Sequence, residues 1–143
     1  MMWAIAPLFF ALAPWGQDAP AKRYEIAADL KAYPQTTAKE TLASVLKASE
    51  AKRVDYVLAQ LADPEWVDHR VQTNGGSFAA LVEECTAKLA GDPATAKRLR
   101  KYLDDGQWET VGAAASAHLK DVDDQALYFR NIGRRWYLEN RKK

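Results

Sequence analysis

The chain has 143 residues, 48% of them hydrophobic and 27% charged, the size and balance of one globular domain. That composition excludes a collagen-like or wholly disordered chain and a multi-span membrane protein. Twenty Lys and Arg against nineteen Asp and Glu leave a net charge of +1, so no strong field draws the chain to nucleic acid or to a membrane surface.

Residues 1–16, MMWAIAPLFFALAPWG, carry no charged side chain. The apolar stretch 3–13 has the length of a signal-peptide core. It falls short of the ~20 residues of a membrane span, and Pro7 and Pro14 interrupt it. Ala19-Pro20-Ala21 offers a small-residue cleavage site ahead of Lys22 and Arg23. Residues 1–21 therefore read as a signal peptide, with no stable membrane span, and the mature protein as periplasmic or secreted. No basic residue precedes the apolar stretch, so an uncleaved anchor or a helix packed on the domain is the alternative. Cys85 is the only cysteine, which excludes an intramolecular disulfide, a four-Cys zinc site, C-x-x-C chemistry and lipid attachment near the N-terminus.

Residues 22–35 read as a linker with a short extended piece at 24–26, and Pro34 biases Tyr33 towards extended backbone. A single α+β domain is expected over 36–143. Thr37-Ala38-Lys39-Glu40 is a capping box, in which the Thr hydroxyl accepts an amide and Glu40 reaches back to the cap amide. Leu42, Val45, Leu46 and Ser49 follow on one helical face, and after a polar break Val54, Val57, Leu58 and Leu61 make a second stripe. Asp63-Pro64 caps a third helix with Trp66, Val67 and Val71 on its apolar side, stopped by Asn74-Gly75-Gly76. Ser77 opens a fourth, carrying Phe78, Leu81, Val82, Cys85 and Leu89. Asp92-Pro93 opens a fifth, carrying Ala96, Leu99 and Leu103.

After Gly106 the period changes. Val111, Ala113, Ala115, Ala117 and Leu119 alternate, which predicts a strand over 108–119 with one buried face, although Ala favours helix. A polar turn over 120–125 leads to strands at 126–132 and 135–141 on either side of Gly133. The expected fold is α+β, four to five N-terminal helices packed on a C-terminal three-stranded antiparallel meander.

The stretch TAKETLASVLKASEAKRVDYVLAQLADP (37–64) resembles the opening of NTF2-like (SnoaL-like, ketosteroid-isomerase-like) domains, with a Thr-capped helix, a break and a second helix ending in Leu-Ala-Asp-Pro. The ending NIGRRWYLEN (131–140) is similar to the terminal hairpin of such domains. The resemblance covers about 40 of the 143 residues and rests on structural motifs only. It implies a curved antiparallel sheet wrapped around helices, with a pocket between them. The chain as a whole also resembles small exported bacterial proteins.

Chemistry-bearing clusters are sparse. His69, beside Asp68 and near Glu65, and His118 are too far apart in sequence for a metal motif. Asp121, Asp123 and Asp124 raise the question of calcium, but the run lacks the Gly and distal Glu of an EF-hand loop and reads as a solvated turn. Cys85 lies on an apolar stripe beside Glu83 and Glu84, whose charges disfavour a thiolate, and so reads as a core thiol. Arg130, Arg134, Arg135, Arg141, Lys142 and Lys143, with Trp136 and Tyr137 among them, have the mix of a single-strand binder. No nucleic-acid motif accompanies them, and they read as solvated strand faces and a tail, with Trp136 in the core.

P-loop, G-x-G-x-x-G, H-E-x-x-H and G-x-S-x-G motifs are absent. No catalytic residue, metal ligand, cofactor or nucleic-acid partner is assigned. The expected role is non-catalytic: a monomer or homodimer binding a small apolar ligand or an envelope protein, with Trp66, Phe129 and Trp136 as the pocket lining. One alternative is an isomerase- or hydratase-type enzyme with an Asp–His pair in a helix–sheet pocket. Another is a structural or assembly subunit with an exposed apolar sheet face.

Overall fold

A computed structural model describes residues 22–141, apart from residue 121 and the side chains of 122–124. The signal-peptide reading of 1–21, the carboxylates of Asp121, Asp123 and Asp124, and the terminal Lys142 and Lys143 lie outside the described residues.

The helical half follows its caps. In α1 (Ala38–Glu50) the Thr37 hydroxyl accepts the Glu40 amide at 3.0 Å. The Glu40 carboxylate accepts the amide of Thr36 at 2.9 Å, one residue before the expected cap amide. Leu42, Val45, Leu46 and Ala48 turn inward. Lys52, at φ +61°, breaks the helix. The second stripe is not a regular helix: α2 (Val54–Tyr56) runs into a π-helical turn (Val57–Leu61), closed by the Ala62 amide on the Val57 carbonyl at 2.8 Å. The wider turn buries four consecutive residues, Leu58, Ala59, Gln60 and Leu61, more than one α-helical face presents.

Asp63 and Ser77 cap α3 (Pro64–Thr73) and α4 (Phe78–Ala90) through side-chain acceptors on the amides of Glu65 and Ala80. At the end of α3 the left-handed Gly75 (φ +73°) lets the Gly76 amide reach back to the Val71 carbonyl at 2.9 Å. Helix α5 (Pro93–Asp105) completes the layer.

The chain then forms a four-stranded antiparallel meander: β1 (Gln107–Val111), β2 (Ala114–Leu119), β3 (Val122–Ile132) and β4 (Arg135–Leu138), in that order. Three strands were expected. The stretch 108–119 is instead two strands, folded at Gly112-Ala113 so that Val111 pairs with Ala114. Gly112 has φ +61°, as the first central residue of a Gly-led two-residue hairpin turn requires. A two-residue turn inverts the parity of the alternation. Odd-numbered Ala115, Ala117 and Leu119 face the helices, whereas odd-numbered Val111 lies exposed at the hairpin tip. The polar turn is also shorter than expected, since β3 already starts at Val122, and β4 ends at Leu138.

Helices α1 and α5 lie on the sheet, and α4 packs on α2 and α5. The outer edge of β4 is covered. The Trp136 amide donates to the Gln35 carbonyl at 3.1 Å, and the Asp63 amide donates to the Leu138 carbonyl at 2.8 Å. Residues 22–35 contain no helix, yet they are docked: Arg23 pairs with Asp68 at 2.7 Å, and the Tyr24 ring stacks on Phe78 at 4.2 Å.

Arg135 departs from its expected place on a solvated face. It is 8% exposed, and its Nη2 donates to the Oε1 atoms of Gln35 and Gln60, both at 2.8 Å. Gln35 Nε2 in turn donates to the carbonyls of Gln60 (3.0 Å) and Trp136 (2.8 Å). This cluster ties the π turn to β4.

The buried apolar side chains fall into three groups. Leu42, Tyr102, Ala117, Phe129 and Trp136 fill the space between α1, α5 and the sheet. Val54, Leu58, Val67, Val71 and Leu81 join α2, the π turn, α3 and α4. Val45, Ala48, Tyr56 and Leu61 join α1 to α2 and the π turn.

Candidate functional site

The three groups do not fuse completely. A half-open cleft of about 390 Å³ remains where they meet. Its helical wall is Val45 of α1, Val54, Val57 and Leu58 of α2 and the π turn, and Trp66 of α3. Cys85 and Leu89 of α4 and Leu99 of α5 close one side, and Leu127 and Leu138 of the sheet form the floor. The volume is at the lower end of the range of small-molecule sites, and the lining is mostly aliphatic. The rim carries Lys88, Glu139 and Arg141.

Local structure explains each wall. The π turn places Val57 and Leu58 together on the cleft side while Gln60 and Leu61 are buried elsewhere. Its position is held by Gln60 Nε2 donating to the Ile26 carbonyl at 2.7 Å and by Arg135. The start of α3, and with it Trp66, is fixed to the sheet by the Asp63 amide on Leu138. Weaker contacts of Arg130 with Asp63 and Glu65, each at 3.4 Å, add to this. The Arg70 guanidinium lies over the Trp66 ring, 5.4 Å from its centroid.

The charged rim is ordered. Lys88 pairs with Glu84 at 3.3 Å, one helical turn away. Arg141 pairs with Glu139 at 3.0 Å and lies over the Tyr128 ring, 3.9 Å from its centroid. Burial pushes the Cys85 thiol above its ordinary pKa, and the Glu84 charge adds to the shift. Cys85 is thus a protonated, half-buried wall residue rather than a poised nucleophile.

The three aromatic residues expected to line a pocket separate. Trp66 lines the cleft. Phe129, fully buried, and Trp136 belong to the core beneath α1 and α5. His69 and His118, the histidines of the enzymatic alternative, are both exposed, and neither lines the cleft. Among the described residues no group of three or more His, Cys, Asp or Glu could hold a metal ion, and no helix is long and apolar enough to cross a membrane. The lining missed from sequence is aliphatic, chiefly Leu58, Leu99, Leu127 and Leu138, together with the rim residue Arg141. No protein-family model matches the chain, and neither a curated protein nor a solved structure matches it.

Proposed function

We propose that the protein is a binding module that holds a small apolar molecule in the cleft between its helices and its sheet. One observation carries the reading: three separately packed apolar groups leave a half-open hollow of about 390 Å³ at their junction, walled by aliphatic side chains. Protein interiors ordinarily close such gaps, and apolar clefts with a few polar groups at the rim are the usual form of ligand sites. The uncharged apolar opening of the sequence supports a place in the cell envelope, periplasmic or secreted. Kinship with NTF2-like domains is part of the same reading, supported by the Thr37 cap, the helix-on-sheet order and the position of the cleft between the two layers.

The experiment is titration of the full chain with Nile red, a neutral dye that brightens in apolar surroundings. The expected result is saturable brightening that is lost in Ala62→Trp, which fills the cleft from the π-turn side, and kept in Leu30→Ser, an exposed position outside the cleft lining. Equal brightening in all three proteins would place the dye elsewhere and refute the reading.

A further inference from the structure

We propose that the ligand is an amphiphile, an alkyl or acyl chain ending in an oxyanion, with its chain in the apolar cleft and its head held between Arg98 and Arg141. The proposal rests on the binding reading above and specifies the chemical class of what binds.

A second hollow of about 380 Å³ adjoins the cleft and shares Leu99, Ala126, Leu127, Tyr128 and Arg141 with it. Past these shared residues the lining changes character. Arg98, Thr95, Tyr102 and Gln125 replace the aliphatic wall. An apolar cleft therefore adjoins a hollow with a larger share of polar lining, the arrangement an amphiphile matches along its length.

The charges in this second chamber favour an anion. Among the described residues the two chambers together are lined by Lys88, Arg98 and Arg141 against a single carboxylate, Glu139. Lys88 is engaged by Glu84 and Arg141 by Glu139. Arg98 has no hydrogen bond or ion pair among the described residues, whereas Arg100 on the same helix is paired with Glu50. Asp92, which feels the charge of Arg98, directs its carboxylate to the Thr95 hydroxyl at 2.7 Å. Arg141 is pre-oriented by its stacking on Tyr128, and a guanidinium fork suits the paired oxygens of a carboxylate or a phosphate.

The test is calorimetric titration of the full chain at neutral pH with decanol, decanoate and decyl phosphate, three ligands that share one chain and differ in the head. Either anion is expected to bind about tenfold tighter than decanol, the size of a charge-assisted hydrogen bond at a partly exposed site. The tighter of the two then identifies the head. Arg98→Gln is expected to bring the anion affinity towards that of decanol, while Lys101→Gln on the exposed side of α5 leaves the preference intact. Equal binding of alcohol and anions, or an unchanged preference in Arg98→Gln, overturns the amphiphile assignment and leaves the apolar cleft standing. Failure of all three ligands to bind overturns both readings.

Discussion

The buried guanidinium of Arg135 offers the sharpest test of how the fold is held. Its Nη2 makes two short bonds to the amide oxygens of Gln35 and Gln60, both at 2.8 Å, and its Nε reaches Gln35 Oε1 at 3.2 Å. Among the described residues no carboxylate pairs with it; the Tyr137 ring, with its centroid 5.3 Å away, is its other partner. Arg135→Met keeps an apolar stem and removes the charge. Two hydrogen bonds to a charged donor contribute ~3–6 kcal/mol, and relief from burying the charge returns part of that, so the net loss expected is ~2–4 kcal/mol. Urea unfolding followed by tryptophan fluorescence measures it, and the midpoint should fall by about 1–2 M with little change in slope. Because Gln35 bridges Arg135 and the Trp136 carbonyl, Gln35→Leu should couple to Arg135→Met, the double variant losing less than the sum. A variant as stable as the parent would refute the claim that this cluster joins the π turn to β4.

Three further outcomes follow from the same geometry. Gly112→Ala meets open space but forces a left-handed residue at φ +61°, so it should cost ~1 kcal/mol in the same unfolding assay. Burial, and then the hydrogen bond to Asp68, raise the Tyr24 phenol from 10.0 to about 12. A raised pKa means that stability from this bond is full below 10.0 and declines as pH climbs towards about 12. The urea midpoint of the parent should drop across that window more than that of Tyr24→Phe. Burial raises the Cys85 thiol, so alkylation by iodoacetamide should be slow at neutral pH and slower still when the cleft is occupied by decanol, as read by mass spectrometry.

Much of the helical half was legible because its punctuation is local. Thr37, Asp63 and Ser77 cap helices through their own side chains, and Gly75 closes one by adopting a conformation other residues resist. The sheet is legible as a meander, but its number of strands is not. The run from Val111 to Leu119 alternates without interruption in sequence, and nothing but Gly112 marks the point where the chain reverses and the alternation changes face. The π turn carries no mark of its own in sequence, since Val54, Val57, Leu58 and Leu61 fit an α-helical face equally well. The burial of Arg135 is not legible in sequence because it depends on Gln35 and Gln60, 100 and 75 residues away along the chain, which no local pattern reveals.

The cleft itself is assembled from α1, α2, the π turn, α3, α4, α5 and two strands, so no single stretch of chain announces it. Large aromatic side chains are natural guesses for a pocket, but Phe129 and Trp136 gain most by filling the helix–sheet core. Trp66 remains at the cleft because its helix begins at the sheet edge, where Asp63 is tied to Leu138.

The most direct measurement is a methyl-resolved NMR titration of the full chain with decanol. Ligand in the cleft predicts shifts concentrated at the methyl groups of Leu58, Leu89, Leu99, Leu127 and Leu138, with those of Val67 and Val71 unmoved. Shifts confined to the exposed Val111 and Ile132, or none at saturating ligand, would contradict a binding role for the cleft.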